Sequence, residues 1–278
     1  MAKQMSKMSL NRRAFSGLAL AGAAVLALSA PVFADAGQSK VWDGIVKDTF
    51  GGREITDGKD MIVMEAPIRA EEAALVPITI KMPASFAEKV KSLTLVVDGN
   101  PAPVSATFTY GPAAGAGERM LSLRIRMDQY SDVRAIAETT DGKLYMTSKY
   151  VKASGGCSAP ANKDVEEAMK SMGKMQFKTF AAAEGSAAPE AQFMIKHPNN
   201  SGMQMDQLTG LYTPARYINK IEIMSGKDLV MTVESGISIS EDPNFRFTHG
   251  VKPGDTVLIK AQDSDGVSWT GQFPGSQS

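Results

Sequence analysis

The sequence predicts an all-β protein made of two immunoglobulin-like β-sandwich domains joined by a short helix and linker. Short segments rich in β-branched and aromatic residues fill the chain from residue 61 to 151 and return after residue 190. Dipeptides typical of hairpin turns separate such segments in both halves. The segment between the halves has the pattern of a helix and a small-residue linker.

The first 34 residues have the features of an export signal. Arg12 and Arg13 precede an apolar run of small residues from Leu18 to Ala30, and Val32-Phe33-Ala34 fits a signal-peptidase site. The paired arginines favour the Tat route over the Sec route. We therefore expect residues 1–34 to be removed and the mature protein to be periplasmic, with no membrane-spanning segment in it.

The first sandwich domain is predicted over residues 40–156. Its strand segments are, in chain order, MIVMEAPIR, LVPITIKM, LTLVVDG, VSATFTY, RMLSLRIRM, VRAIAETTDG and KLYMTSKYV. In RMLSLRIRM the apolar and polar residues alternate, which predicts a strand with one apolar face. That face consists of Leu121, Leu123, Ile125 and Met127. Asp98-Gly99 and Asp141-Gly142 predict hairpin turns.

The second sandwich domain is predicted over residues 189–278. Its strand segments are AQFMIKH, YINKIEIM, DLVMTVES, FRFTHG, TVLIKAQDSDG and VSWTGQF. Ser225-Gly226 and Asp265-Gly266 lie where the hairpin dipeptides of the first domain lie, which indicates a related topology. We expect the two domains to pack face to face through a buried apolar interface.

Residues 157–188 are predicted to contain no strand. Asn162 is a suitable N-cap for KDVEEAMKSM, whose apolar residues share one stripe of a helix that Gly173 would end. The following AAAEGSAAPE has the composition of a linker.

Cys157, in KASGGCSAP, is the only cysteine of the chain. In an oxidising compartment cysteines usually pair, and a single cysteine has no partner within its own chain. Its small neighbours offer no apolar packing and no carboxylate, so we expect an exposed, reactive thiol on a mobile loop. An intermolecular disulfide and an incidental surface cysteine are the alternatives. Gly155 and Gly156 are expected to make this loop flexible.

A nucleophilic enzyme would need a base beside the thiol, and the chain has two histidines, His197 and His249. Both are predicted at strand ends, where histidines usually hydrogen-bond to the backbone. An enzyme reading therefore requires one of them to lie within hydrogen-bond reach of Cys157. We expect the protein not to be an enzyme.

Composition argues against several other classes of function. The 30 basic and 30 acidic residues balance, so neither nucleic acid nor a membrane surface is an expected partner. Met203 and Met205 near His197 have the softness that Cu(I) prefers, but the remaining methionines occupy apolar strand and helix positions. We expect no metal and no cofactor.

Gly155-Gly156-Cys157 after an immunoglobulin-like sandwich resembles the carrier arm of SoxY, the sulfur-oxidation subunit whose terminal Gly-Gly-Cys-Gly-Gly holds sulfur intermediates covalently. The second half resembles its partner SoxZ in the order of IKHPNNSGMQMD, YINKIEIMSGKDLV, ISISEDPNFRF and KAQDSDGVSWTGQF. The fused arrangement is similar to the SoxYZ-like carriers associated with quinoprotein dehydrogenases.

The resemblance implies a non-catalytic carrier that holds a sulfur species on Cys157 and presents it to sulfur-oxidation enzymes or cytochromes. The alternative is a non-covalent accessory module for a periplasmic quinoprotein (PQQ) dehydrogenase. A homodimer linked by a disulfide through Cys157 is a further expectation. Here Ser158-Ala159-Pro160 and a second domain follow the cysteine, so a loop held at both ends would reach at most ~15–20 Å from its anchors.

Overall fold

The computed structural model describes residues 36–160, 165–182, 188–206 and 209–275. Side chains are described from residue 40 in the first helix and from residue 168 in the third. The predicted export signal and the predicted cap Asn162 lie outside the described residues. Of the helices that are described, none has the length and apolar character needed to cross a membrane.

The chain is mostly strand, as predicted. The strands are β1 (Ile55–Asp57), β2 (Val63–Glu65), β3 (Val76–Met82), β4 (Val90–Val97), β5 (Val104–Tyr110), β6 (Arg119–Ile125), β7 (Ser131–Thr139), β8 (Leu144–Val151), β9 (Met175–Phe180), β10 (Glu190–Ile195), β11 (Ile218–Ser225), β12 (Asp228–Ser235), β13 (Asn244–Thr248), β14 (Thr256–Asp263) and β15 (Ser268–Pro274). The helices are α1 (Ala36–Phe50), α2 (Ala84–Ala87) and α3 (Val165–Ser171), and Pro112–Ala114 forms a 3-10 turn. The segments predicted as strands are β2 to β8 in the first half and β10 to β15 in the second, so the fold class is confirmed.

The strands of the described residues form two sheets, and each sheet contains strands from both halves. One sheet has the order β1-β8-β7-β4-β5-β12-β11-β14-β15, and the other has the order β2-β3-β6-β13-β10-β9. The halves meet where β5 pairs with β12 in the first sheet and β6 pairs with β13 in the second. The expectation of face-to-face packing between domains is therefore wrong. The two sandwiches join edge to edge, because each presents open strand edges that the other completes.

A shared apolar core lies between the two sheets and crosses the junction of the halves. Phe108 of β5 contacts Phe245 of β13 edge to face, with ring centroids 5.7 Å apart. Both rings are fully buried in one core cluster that extends from Ile62 to Ala261. The predicted apolar face of β6, including Leu121 and Ile125, is buried in this core. The expected buried interface between the halves is thus present, although its geometry differs.

Besides the one-turn helix α2, three elements were missed by the sequence prediction. The short β1 lies at one sheet edge beside β8. β9 lies at the edge of the other sheet beside β10, so residues 157–188 do contain a strand. In its sequence MQFKTF, apolar and polar residues alternate over MQFK. The ring of Phe177 packs near the ring of Phe273, with the two ring centroids 5.9 Å apart. Helix α1 covers the outer face of the nine-stranded sheet with Trp42 and Ile45. The helix predicted after the cysteine is present as α3.

The predicted hairpin turns are confirmed with one difference. Asp141-Gly142, Ser225-Gly226 and Asp265-Gly266 connect antiparallel neighbours, and Gly142 has a φ of +82°. Asp98-Gly99 instead begins a longer connection between β4 and β5. Asp98 is buried there, and its carboxylate accepts a hydrogen bond from Arg134 Nη2 at 2.7 Å.

Expressed as two separate chains split between residues 160 and 165, the halves should co-purify. Alone, each half would expose the edges of two hydrophobic strands, which favours association. A tag on the first half should retain the second half, and size-exclusion chromatography should show one heterodimer. If each half is soluble and monomeric and the two do not bind one another, the shared-sheet fold is contradicted.

Phe108→Ala should destabilise the whole protein by about 3–5 kcal/mol, since it removes a ring that is fully buried in the core of both halves. Urea unfolding followed by tryptophan fluorescence and by circular dichroism should give one coincident transition at lower denaturant. Tyr150→Ala removes a half-exposed ring and should change stability by only about 0.5 kcal/mol. Two separate unfolding transitions, of which the substitution shifts only one, would mean that the halves unfold independently.

Candidate functional site around Cys157

The cysteine-bearing segment, residues 154–160 and called here the arm, follows β8 and lies along the residues that follow β6. The amide of Gly155 donates to the carbonyl of Asp128 at 2.9 Å. The amide of Gly156 donates to the carbonyl of Met127 at 2.8 Å. These two bonds dock the arm against the first half of the molecule.

The two glycines before Cys157 have different structural roles. Gly155 has a φ of +78°, a conformation that residues with a side chain rarely adopt. At Gly156 an added Cβ would lie 2.1 Å from the carbonyl oxygen of Ala73, so only glycine allows this close approach. In the docked arm both glycines therefore permit a specific, packed backbone path. Their predicted contribution to the flexibility of the arm is untested.

Cys157 is fully buried, so the expectation of an exposed thiol is wrong. The second half of the molecule covers it through the loop 196–206, called here the junction loop. Ser201 Oγ donates a hydrogen bond to the carbonyl of Cys157. Gln204 Nε2 donates to the carbonyl of Ala159 at 3.1 Å. The sequence neighbours of Cys157 offer no packing, but residues distant in sequence do.

The thiol is held in its protonated form. Burial, together with the negative charge of Asp128, raises the pKa of Cys157 to about 11, and the positive charge of Arg126 offsets this only in part. Asp128 is remote from Cys157 in sequence, so the expectation of a carboxylate-free environment is also wrong. At neutral pH the docked arm holds an unreactive thiol.

Arg126, one residue before Met127, is a cation whose charge acts on Cys157. Its side chain is only 2% exposed. Arg126 Nη1 donates to the carbonyls of Asn199 and Ile239, at 2.7 Å each. Its Nε is buried and has no hydrogen-bond partner within the described residues. Burial lowers the pKa of Arg126, while the charges of Cys157 and Glu241 raise it.

Asn199 organises the junction loop. Its φ is +48°, which asparagine tolerates better than most residues. Its side chain accepts from the amide of Ile218 at 2.9 Å and donates to the carbonyl of Ile239 at 3.1 Å. The carbonyl of Asn199 is therefore fixed where Arg126 reaches it. This loop is the His-Pro-Asn-Asn-Ser segment of the SoxZ resemblance, and its structural role is to cover the arm.

Neither histidine is hydrogen-bonded to Cys157. His197 Nδ1 accepts from the amide of Asn199 at 3.0 Å, and its Nε2 lies 3.6 Å from Asp263 Oδ2. His249 Nδ1 accepts from the amide of Val251 at 3.0 Å. The Nε2 atoms of both rings have no hydrogen-bond partner in the described part of the chain, and burial lowers the pKa of both. Both histidines hydrogen-bond backbone near strand ends, as predicted.

Sequence reasoning missed Arg126, Asp128 and Ser201 as members of this site. Arg126 stands at a polar position of the alternating segment RMLSLRIRM, which gives no reason to expect its burial, and carbonyls from the second half of the chain bind it here. The available signal was the run of charged residues RIRMD directly before a turn. The site thus combines one thiol, one buried guanidinium and a backbone cage, an arrangement suited to storing a group.

No curated protein sequence matches the chain. Among solved structures, the sulfur carrier protein SoxY from Chlorobium limicola f thiosulfatophilum matches at 25% identity, covering 42% of this chain and 96% of that one, with a TM-score of 0.34. A β-glycosidase from Bacteroides vulgatus matches at 9% identity over 77% of this chain and 24% of that one, with a TM-score of 0.24. This chain thus spans about a quarter of the β-glycosidase.

Two protein-family models match successive parts of the chain. Residues 46–157 match the family of sulfur oxidation protein SoxY, and this match ends at Cys157. Residues 177–274 match the family of sulphur oxidation protein SoxZ. The matched regions are the two halves that share both sheets. The chain therefore belongs to the SoxY and SoxZ families of sulfur-oxidation proteins, with one member of each fused in a single polypeptide.

Proposed function

We propose that the protein is a periplasmic, non-catalytic carrier that holds a sulfur intermediate covalently on Cys157 and presents it to partner oxidoreductases. The observation that carries the proposal is the end of the SoxY-family match at the only cysteine, after two glycines. The arm also lies at the junction between the SoxY-like and SoxZ-like halves. The export signal in the sequence supports a periplasmic site of action.

Attachment of thiosulfate illustrates the chemistry that this role requires. The thiolate sulfur of Cys157 forms a bond with the outer sulfur of thiosulfate, which leaves an S-thiosulfonate on the protein. The thiol proton goes to solvent, and two electrons leave the pair of sulfur atoms. The chain supplies no electron acceptor of its own in this scheme. Partner cytochromes or sulfur-oxidation enzymes would take the electrons.

The buried position of the thiol adds one step to this function. A protonated, enclosed thiol is a poor nucleophile, so the arm has to leave its groove before Cys157 can be loaded. Two backbone hydrogen bonds to the first half and two side-chain hydrogen bonds from the junction loop hold the docked arm. Opening of a segment with so few contacts is a local event that leaves the two sheets intact.

The buried, protonated state of Cys157 also favours a second candidate function. A non-covalent accessory module for a periplasmic quinoprotein dehydrogenase would need no accessible thiol. In that case Cys157 would be a structural side chain, and the docking surface of the two halves would be the working feature. Replacing Cys157 separates the two functions, because an accessory module should keep its activity without the thiol. A disulfide-linked homodimer remains a prediction that requires the opened arm.

Protein purified from its own periplasm should carry an adduct on Cys157. Intact-mass analysis before and after reduction should show an added sulfane, sulfonate or thiosulfonate mass that reductant removes. Cys157→Ala should carry no adduct, should fold, and should abolish sulfur oxidation with the partner enzymes. Unmodified Cys157 in protein from sulfur-oxidising cells, or full activity of Cys157→Ala, would eliminate the covalent carrier.

Alkylation of the folded protein should be slow and limited by opening of the arm. The thiol pKa is about 11 when docked and 9.0 when unperturbed, so proton loss favours the opened arm. The protonated thiol therefore contributes its full stabilisation of the docked arm below pH 9.0, and this contribution is lost as the pH rises towards about 11. The labelling rate should keep rising to pH about 11, whereas a permanently opened arm should level off near 9.0.

Gly156→Ala supplies the opened arm for this comparison, since its Cβ would overlap the carbonyl of Ala73. We expect labelling at neutral pH to be at least about tenfold faster in this variant. Gly44→Ala is the matched control, because an added Cβ there meets nothing within 4 Å. Equal labelling rates in Gly156→Ala and the natural protein would mean that the packing at Gly156 does not hold the arm.

A further inference from the structure

Arg126 is a buried cation with a hydrogen-bonding group left unused. Its side chain is 2% exposed, its Nη1 donates to two neutral carbonyls, and its Nε has no hydrogen-bond partner among the described residues. A buried donor without a partner typically costs about 1–3 kcal/mol, and more when it is charged. Such a group calls for a physical explanation, and a ligand that binds it is one.

The chain fixes Arg126 beside the arm from several directions. Its own amide donates to the carbonyl of Ser238 at 2.7 Å, and Asn100 Nδ2 donates to its carbonyl at 2.8 Å. The next residue, Met127, accepts the amide hydrogen bond of Gly156, directly before Cys157. Ile239 and Asn199 hold the guanidinium from the second half of the chain.

The same loop connects the guanidinium and the thiol. Asn199 accepts from Arg126, and Ser201, two residues later, donates to the carbonyl of Cys157. The positive charge of Arg126 opposes part of the rise that burial and Asp128 cause in the pKa of Cys157, so the two groups interact electrostatically. Asp128 acts on the thiol in the opposite direction and disfavours negative charge there. An anion placed on Cys157 therefore needs a cationic partner in the docked arm.

We propose that Arg126 is the anion-recognition residue of the docked arm, and that its unpaired Nε–H binds the sulfonate end of an oxidised sulfur adduct on Cys157. This inference rests on the proposed carrier function. It specifies the class of cargo that is stored, namely S-sulfonates and S-thiosulfonates rather than uncharged persulfides or alkyl disulfides. A guanidinium suits this task because its planar donors match tetrahedral oxyanions and it stays charged when buried.

Two reagents attach disulfide adducts of the same chain length, one ending in an anionic sulfonate that accepts hydrogen bonds and the other in an uncharged methyl group. The Cys157 thiolate attacks a sulfenyl sulfur of tetrathionate, the S–S bond breaks, and thiosulfate leaves, which gives Cys–S–S–SO₃⁻. The thiolate likewise attacks the thiomethyl sulfur of methyl methanethiosulfonate, and methanesulfinate leaves, which gives Cys–S–S–CH₃. In both reactions the thiol proton goes to solvent and the reagent is the oxidant, so no partner enzyme is needed.

The test compares the thermal unfolding midpoint of the folded protein carrying each adduct, with stoichiometric loading verified by intact mass. In the natural sequence the thiosulfonate form should unfold about 4–8 °C above the methyl disulfide form. In Arg126→Gln this difference should vanish or reverse, because Asp128 then acts on the anion without a compensating cation. The quantity compared between variants is the difference in unfolding midpoint between the two adducts, so the effect of the substitution on the unmodified protein cancels.

Arg119→Gln is the matched control, because Arg119 is also buried and begins β6, the strand that ends directly before Arg126, but stacks on Tyr110. This variant should keep the preference for the anionic adduct. An unchanged preference in Arg126→Gln, or an equal loss in Arg119→Gln, would overturn the proposal. Arg126→Lys retains the charge without the planar donors and should show a reduced preference of the same sign.

A second measurement on the natural protein covers the case in which no Arg126 variant folds. For each adduct, the rate of reduction by an uncharged thiol reagent is measured in the folded protein and divided by the rate in urea-unfolded protein. This ratio should be at least about tenfold smaller for the thiosulfonate than for the methyl disulfide. Equal protection of both adducts would overturn the role of Arg126 and leave the carrier intact. Absence of any adduct on Cys157 in cells would contradict the carrier function itself. Failure of both reagents to label the folded protein would contradict both the carrier function and the role of Arg126.

Discussion

The pairing of β5 with β12 and of β6 with β13 is the constraint on which the rest of the structure depends. Each pairing closes a strand edge that a separate sandwich would leave open, and together they place one apolar core under both halves. The relative position of the halves is therefore set by backbone hydrogen bonds and strand register. Side-chain contacts such as Phe108 with Phe245 then fill the space that the register defines.

The site around the arm follows from that register. The turn after β6 and the junction loop after β10 meet because their strands belong to the same sheet. Asn100 and Ser238 hydrogen-bond across the junction at 2.9 Å and stabilise the backbone from both halves. The groove that receives Cys157 consequently has one wall from a SoxY-like half and one from a SoxZ-like half. In this chain, a cysteine that follows the first half is covered in part by the second half.

The sequence was sufficient for most of the strands and insufficient for the environment of the thiol. Alternation in RMLSLRIRM predicted β6 because a strand repeats every two residues, which is a local property. Burial of Cys157 depends on Ser201 and on the close approach of Ala73 to Gly156, and no local pattern encodes those contacts. The same alternation gave no reason to expect burial of Arg126, since the pattern contains no information about what covers a strand from outside.

A different consequence follows from the way in which the chain continues past the arm. Ala153 is buried at one end of the arm, and α3 begins at Val165, so the released segment is an internal loop and not a chain terminus. Return of Cys157 to its groove is then a unimolecular reaction whose effective concentration is set by a short tether. Any partner that captures the thiol competes with this return, and the rate of return does not fall when the carrier is diluted. In the proposed open state, a shorter loop would therefore shorten the lifetime of the exposed cysteine.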